Sequence, residues 1–510
     1  MERYLDILEV SQKQAFIFSS NKLRENVANS AAIAYVTDSA FFGDIGAPYE
    51  ESRNLVYSGG GHTVLQFDTK EQAADFNKAV TKAVIERFPS MEMFVKIIPY
   101  DEGKTPHENL TSLISALEVK KSERTASFRK GSYGIERIDT DTRKPKRSAE
   151  SRTEIFATDE TEERKYVPEG YKPVYEFGDL GGSKGDANFI AVVHIDGNGM
   201  GKRVNDFQEA YGGAGKEWDS FAAELGKFSK AVDNDFKQAY REMTEEVAKK
   251  IEDGTLSELS LKDKNFPIRR IISSGDDICY VADGRIGIES ARIFIEKLHG
   301  MTNDADKTGY NACAGVAIVH AKYPFYRAYE LAEELCSNAK AFGAGLSSED
   351  NGACVSSIDW HIEFGELGDD LPSIRSLYVN EDGKNLNMRP YIVCAPQKVC
   401  DLEVTRQYKK FKKVEAIIMD KEKGYARSSI KNLRSVLRRT ESDAKYYLTY
   451  HKIDDLAMIS YQGTYKDTDT DGIGKGKGLE GRLFIKTADG KERSTLFDAI
   501  EMMDTFINLD

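Results

Sequence analysis

The sequence predicts an α+β protein: two copies of a β-α-β-β-α-β module, then a mainly helical C-terminal region. Three observations carry this expectation. Strand-like apolar runs alternate with amphipathic helical stretches in the same order twice. Each copy is split at its centre by a hairpin with a glycine-containing turn. Beyond about Asp369 the strand pattern gives way to helical periodicity.

In the first copy, QAFIFSS (Gln14–Ser20) is expected as the opening strand and NKLRENVANSAAIAYVTD as the helix after it. RNLVYSGGGHTVLQFD (Arg53–Asp68) reads as a hairpin turning at Gly59, Gly60 and Gly61. TKEQAADFNKAVTKAVIERF is an amphipathic helix with Thr69 placed to cap it, and MEMFVKIIPY closes the unit as a strand. This is a ferredoxin-like order. Domain bounds of 1–135, 136–187, 188–368 and 369–510 follow, the second being a polar linker or insertion.

The second copy opens with NFIAVVHID (Asn188–Asp196), nearly continuous in apolar residues and therefore expected at the sheet centre. A glycine-rich turn and a long helix (Trp218 to about Asp253) lead to the hairpin FPIRRIISSGDDICYVAD. A helix (IGIESARIFIEKLHGM), a strand (NACAGVAIVHA) and a further helix (YPFYRAYELAEELCSNAKAFG) complete it. In the C-terminal region, Asp401–Thr440 carries twelve Lys and Arg against five Asp and Glu, with Tyr408, Phe411 and Tyr425 interleaved. DGIGKGKGLEG (Asp471–Gly481) is expected as a flexible loop.

The 510-residue chain has a net charge of −13, which argues against non-specific coating of nucleic acid over its whole surface. Its six cysteines form no CxxC pair, so no zinc ribbon or thioredoxin motif is present and reduced core thiols in the cytoplasm are expected. The N-terminus lacks a signal-peptide pattern and no apolar run reaches membrane-spanning length, so no membrane partner is expected.

The chemistry concentrates in the second copy. Asp196 ends its first strand, and Asp276 and Asp277 turn its hairpin. In a ferredoxin-like sheet the first strand neighbours the hairpin, so the three carboxylates converge at one edge. Oxygen ligands on rigid elements suit two Mg²⁺ or Mn²⁺ ions. Such ions activate a ribose hydroxyl and stabilise departing pyrophosphate. The turn GNGMGK supplies Gly197, Asn198, Gly199 and Gly201 for close backbone approach to a phosphate, with Lys202 as a point charge. It is not an EF-hand, because its twelfth loop position is Phe207 rather than glutamate. Gly275 belongs to the hairpin turn, and Lys340 is a second cation for the same triphosphate. His194, two residues before Asp196, reads as a packed or hydrogen-bonded histidine and Cys279 as core. The first copy has glycines where the second has acids, and its opening strand is expected to end in Ser19-Ser20, so it cannot hold two metals in the same way. Gly59, Gly60 and Gly61 either seat a second nucleotide as acceptor or simply make the turn.

QKQAFIFSSNKLRENVANS, YSGGGHTVLQF, HIDGNGMGK, SSGDDICYV and AGVAIVHAKYPFYRAYELAEELCSNAK together resemble the Cas10 family, the Cmr2 or Csm1 large subunit of type III CRISPR effectors. SSIDWH and RPYIVC extend the likeness to about Cys394. The resemblance implies two palm domains, the second with a GGDD-type motif that converts ATP into cyclic oligoadenylates in antiviral defence. Asp276 and Asp277 match the metal-binding aspartates of that motif, Asp196 the first-strand aspartate, and Gly275 the second glycine, while Ser274 replaces the first. No His-Asp dipeptide occurs and the stretch between the copies has no cysteine, so neither the family's nuclease domain nor its zinc site is expected. A binding subunit for RNA or CRISPR-type effector partners, working through the basic segment 401–440, is the alternative. A GGDEF or class III cyclase, which shares this layout, is a third reading.

Overall fold

The computed structural model describes residues 3–123, 164–180, 188–259, 261–347, 352–364, 370–420, 424–453, 456 and 483–510. Most of the stretch expected as a linker, and all of Asp471–Gly481, lie outside them.

The opening strand, β1, is Tyr4–Ser11, not Gln14–Ser20. Its side chains alternate between faces, and Leu5, Ile7, Leu8 and Val10 are buried. Gln12 then takes a left-handed conformation and Lys13–Ile17 form a short helix, α1. Phe16, Ile17 and Phe18 are all buried, so a run without alternation packs as a helix and turn. Helix α2 (Leu23–Val36), the hairpin β2 (Leu55–Gly59) and β3 (His62–Phe67), helix α3 (Lys70–Arg87) and strand β4 (Glu92–Pro99) follow the expected order. Thr69 caps α3 by accepting from the Gln72 amide. The sheet order β2-β3-β1-β4, all antiparallel, is ferredoxin-like. Helix α4 (Pro106–Ser122) packs back on β1 and β4 behind a complete capping box from Thr105 and Glu108.

The second module repeats the plan with β5 (Phe189–Gly197), α5 (Met200–Gly212), α6 (Trp218–Glu252), β6 (Ile268–Ser274), β7 (Asp277–Asp283), α7 (Gly287–His299), β8 (Ala312–His320) and α8 (Phe325–Leu346). β9 (Ser356–Glu363) adds parallel to β8, and β10 (Tyr391–Cys394) adds antiparallel to β9. The six-stranded order is therefore β10-β9-β8-β5-β7-β6, with β5 inside it as its apolar run requires.

The two modules pack reciprocally. α6 lies over β2 while α2 lies over β6. α5 packs on α4, and α1 meets α8 through Phe18 against Tyr329 and Gln14 hydrogen-bonded to Glu333 at 2.9 Å.

Beyond β10 the chain is mainly helical, with α9 (Tyr408–Met419), α10 (Arg427–Leu437), α11 (Glu441–Tyr450), a small hairpin of β11 (Phe484–Lys486) and β12 (Glu492–Ser494), and α12 (Phe497–Met502). Glu289 on α7 ties this region to the second module. Its fully buried carboxylate accepts from Arg292, from Tyr408 at 2.8 Å, from Lys412 at 2.8 Å and from the Leu509 amide at 3.0 Å. The basic segment is accordingly not one free face. Tyr408 and Phe411 are core residues packed edge-on and tilted against Trp360, and Arg427 and Lys431 pair with Asp504. All six cysteines are free thiols. No described helix is long and apolar enough to cross a membrane.

Candidate functional site

The register of the second sheet brings the three aspartates to one corner. Asp196 sits opposite Asp277 in the β5–β7 pairing, and the Gly197 amide donates to the Asp276 carbonyl at 3.3 Å. Gly275 turns the hairpin at φ +62°, a left-handed conformation that favours glycine. Gly197 makes the close approach possible, since a Cβ there would lie 2.7 Å from Met200 Cγ and 3.0 Å from Asp276 Cβ.

The turn after Asp196 is built as a helix entry. Gly199, at φ +66°, is the N-cap of α5. Asn198 anchors the turn to neighbouring strands, its amide donating to the Asn311 carbonyl at 2.8 Å and its side chain to the Val355 carbonyl at 2.7 Å. Gly201 has open space above it and Lys202 is exposed. Lys340 arrives from α8 and donates to Asp196 Oδ2 at 2.6 Å and to the Gly197 carbonyl at 3.0 Å.

The corner is electrostatically loaded. Burial, then the charge of Asp196, pushes both Asp276 and Asp277 up to about 7. His194 lies under it with Nδ1 3.5 Å from Asp277 Oδ1, and burial lowers its pKa, so it packs as a neutral imidazole. Asp277 Oδ1 is buried without a hydrogen-bond donor. Among the described residues no three His, Cys, Asp or Glu side chains are gathered tightly enough to chelate an ion as they stand. The reason is visible in the contacts: Asp196 is turned to Lys340 and Asp277 to His194.

Two neighbours escaped sequence reasoning. Asp233 on α6 accepts from the Gly275 amide at 3.3 Å and pairs with Lys237 at 2.6 Å, and nothing in a long amphipathic helix marks it out. Lys13 of the first module bonds the Gly60 carbonyl and lies near enough to Asp277 to lower its pKa.

The first module keeps more of the corner than its glycines suggest. Because its strand ends at Ser11, the place of Asp196 falls to Glu9, not to Ser19 or Ser20. Glu9 pairs with His62 in the β1–β3 register, and the Val10 amide donates to the Gly61 carbonyl at 3.0 Å, as Gly197 does to Asp276. Gly61 and His62 therefore stand where Asp276 and Asp277 stand, and Gly60 matches Gly275 at the same φ of +62°. Gly59 lies against Ser229 of α6. Lys121 of α4 bonds Glu9 at 2.9 Å, the counterpart of Lys340 on Asp196.

Fold and corner define a tandem-palm protein with one acidic palm. Residues 189–344 match the family model of the Cas10/Cmr2 second palm domain. Its fold is similar to the Csm1–Csm4 cassette in complex with cA3, at 13% identity and a TM-score of 0.54 over 98% of this chain and 70% of that one. The cassette in complex with AMPPNP gives 13% identity and a TM-score of 0.52 over 99% and 70%. Csm1 in T. onnurineus gives 15% and 0.51 over 98% and 70%. At such identities the likeness is one of fold. No curated protein matches the sequence.

Proposed function

We propose that the chain is a nucleotidyltransferase that joins ATP into a cyclic oligoadenylate, with Asp196, Asp276 and Asp277 as its catalytic acids. The observation that carries this reading is the register that sets these three side chains at one edge of the palm matched to the Cas10/Cmr2 family. The likeness to cassettes whose structures hold cA3 and AMPPNP supports the substrate class.

The residues fit divalent metal. The donor set is all oxygen, Asp277 Oδ1 has no donor, and burial and then the charge of Asp196 hold two carboxyls up at about 7. Lys340 Nζ supplies part of that charge. Bound Mg²⁺ or Mn²⁺ would lower the pKa of the attacking 3′-hydroxyl and neutralise the leaving pyrophosphate. The protein's own part is positional. Gly199 and Gly201 open α5, where backbone amides can face phosphate oxygens, while Gly197 and Asn198 spend their amides on the Asp276 and Asn311 carbonyls and hold the turn in place. Lys340 and Lys202 add cationic charge, and Gly275 keeps the approach to the acids open. Gly59, Gly60 and Gly61 of the first palm, with Lys13 across them, would seat the second ATP.

Incubating the protein with labelled ATP and Mg²⁺ or Mn²⁺, followed by mass spectrometry, tests this. Product is expected and should vanish in Asp276→Asn/Asp277→Asn. A folded protein that makes nothing, alone or with target RNA and a Csm4-like subunit, sinks the catalytic reading.

A second reading, an effector subunit, is favoured by the Csm1–Csm4 likeness. Lys409, Lys413 and Arg439 of the basic segment stay exposed, and on α11 Tyr446 and Tyr450 stack in the open with centroids 6.3 Å apart. Exposed cations and open aromatic rings suit RNA, with binding that falls steeply with salt.

A further inference from the structure

A second concave site lies behind α8, away from the acidic corner. Asn338, Ala341, Phe342, Gly345 and Leu346 line a cavity of about 460 Å³. Helical spacing puts Asn338 and Phe342 on the side of α8 opposite Lys340. The other walls come from the β10 approach and the β11–β12 hairpin, and they carry Arg375, Arg389, Arg406, Lys491 and Arg493 against two acids, Glu403 and Asp489.

We propose that this cavity binds the phosphate group of a small anion through Arg375, Arg406, Lys491 and Asn387. The acids on its wall are already engaged. Glu403 accepts from the Thr405 hydroxyl and from the Ala488 amide at 2.9 Å. Asp489 accepts from Arg493 at 2.7 Å and from the Lys491 amide at 3.2 Å. Arg389 is matched from behind by Glu501 at 2.7 Å.

The donors are not matched. Arg375 spends Nη2 on Asp359 at 2.6 Å and on the Trp360 carbonyl, but its Nη1 is buried with no hydrogen-bond partner among the described residues. Asn387 Nδ2 is in the same condition. Arg406 is 3% exposed, lies 3.8 Å over the Phe342 ring and gives only Nε, to the Pro390 carbonyl at 3.1 Å; its nearest carboxylate oxygen is 3.9 Å away. Lys491 stands exposed nearby, without a described side-chain partner. Burial and the adjacent Arg493 push Arg406 down to about 10. Buried donors left unpaired are costly, and a protein that keeps several around one cavity provides for an acceptor-rich ligand. A tetrahedral oxyanion offers several acceptor oxygens at once, and guanidinium groups suit it. The volume exceeds one phosphate and accommodates an oligophosphate or a nucleotide.

The test is calorimetric titration of the whole chain with inorganic pyrophosphate and, in a second arm, ADP, both in EDTA, where metal-dependent binding at the acidic corner is suppressed. Saturable one-site binding is expected. Lys491→Glu, at the exposed rim, should weaken it about tenfold or more, and Arg406→Gln more strongly, while Lys340→Met leaves it within about twofold. Tighter binding of ADP than of pyrophosphate would mark the natural ligand as a nucleotide; the reverse would mark a free oligophosphate. No saturation at millimolar ligand overturns the proposal. So does binding that survives Lys491→Glu in a folded protein, or that disappears with Lys340→Met. If Arg406→Gln fails to fold, the rim variant decides alone.

Discussion

Lys340 and Asp196 are the first pair to perturb. The ammonium lies 2.6 Å from the carboxylate, and the two side chains are 32% and 38% exposed. Two unit charges about 4 Å apart are worth roughly 4 kcal/mol at an effective dielectric of 20, and solvent screening at this exposure reduces the net coupling to about 1 kcal/mol. A double-mutant cycle of Lys340→Met and Asp196→Asn, read by chemical denaturation in EDTA, should give that coupling. Lys340→Met alone leaves Asp196 facing Asp276 and Asp277 without a counter-charge, so it should destabilise more than the double variant does. It should also bind Mg²⁺ several-fold more tightly, because a competing positive charge is gone, while product formation from ATP falls. Additive energies in the cycle, or unchanged Mg²⁺ affinity, would refute the view that Lys340 compensates the acidic corner.

Other expectations can be checked alongside. Gly197→Ala puts a Cβ 2.7 Å from Met200 Cγ and about 3 Å from Asp276, so ATP turnover should fall about tenfold or more while the melting temperature moves little. Glu289→Gln leaves Arg292 and Lys412 partly unpaired in the core and should cost about 3–5 kcal/mol in denaturant titrations. Asp6 is buried on β1 with Oδ2 unpartnered, and burial raises its pKa to about 7. Its folded value lies above the unfolded one, so its contribution is intact below about pH 4 and is lost as pH rises through 7. Asp6→Asn should therefore stabilise at pH 8, by at most about 4 kcal/mol, and change little at pH 4.

Much of the plan was legible because it is periodic. β5 reads as a central strand from its unbroken apolar run, and both hairpins announce themselves by glycine turns between strand formers. The acids of the second palm were legible from type and place alone. What stayed hidden was relational. Nothing in QAFIFSS says that Gln12 turns left-handed and starts a helix, whereas YLDILEV carries the alternation of the true strand. That error of one element displaced the comparison between modules and concealed Glu9. Lys13 and Asp233 reach the corner only by tertiary packing, which no local pattern encodes. The basic segment misled in another way, since Tyr408 and Phe411 sit in the core and Lys412 is spent on Glu289.

The reciprocal packing raises the question of why only one palm keeps its acids. Each corner retains the same frame: an acid ending the first strand, a lysine bonded to it from the closing helix, and a left-handed glycine in the hairpin. In the first palm Glu9 with Lys121 is nearly neutral as a pair, and His62, pushed down to about 4 by burial and by Lys13, carries no charge near pH 7. Aspartates at Gly61 and His62 would add two more buried carboxylates beside Lys13, with the repulsion and desolvation cost that buried acids carry. With glycine and neutral histidine there instead, Lys13 is left to face Asp277 across the interface. Under the proposed function, the second palm would hold the metal and the first, with Lys13 over its glycine turn, would seat the other triphosphate. The asymmetry is thus a charge requirement of bringing two copies of one frame face to face.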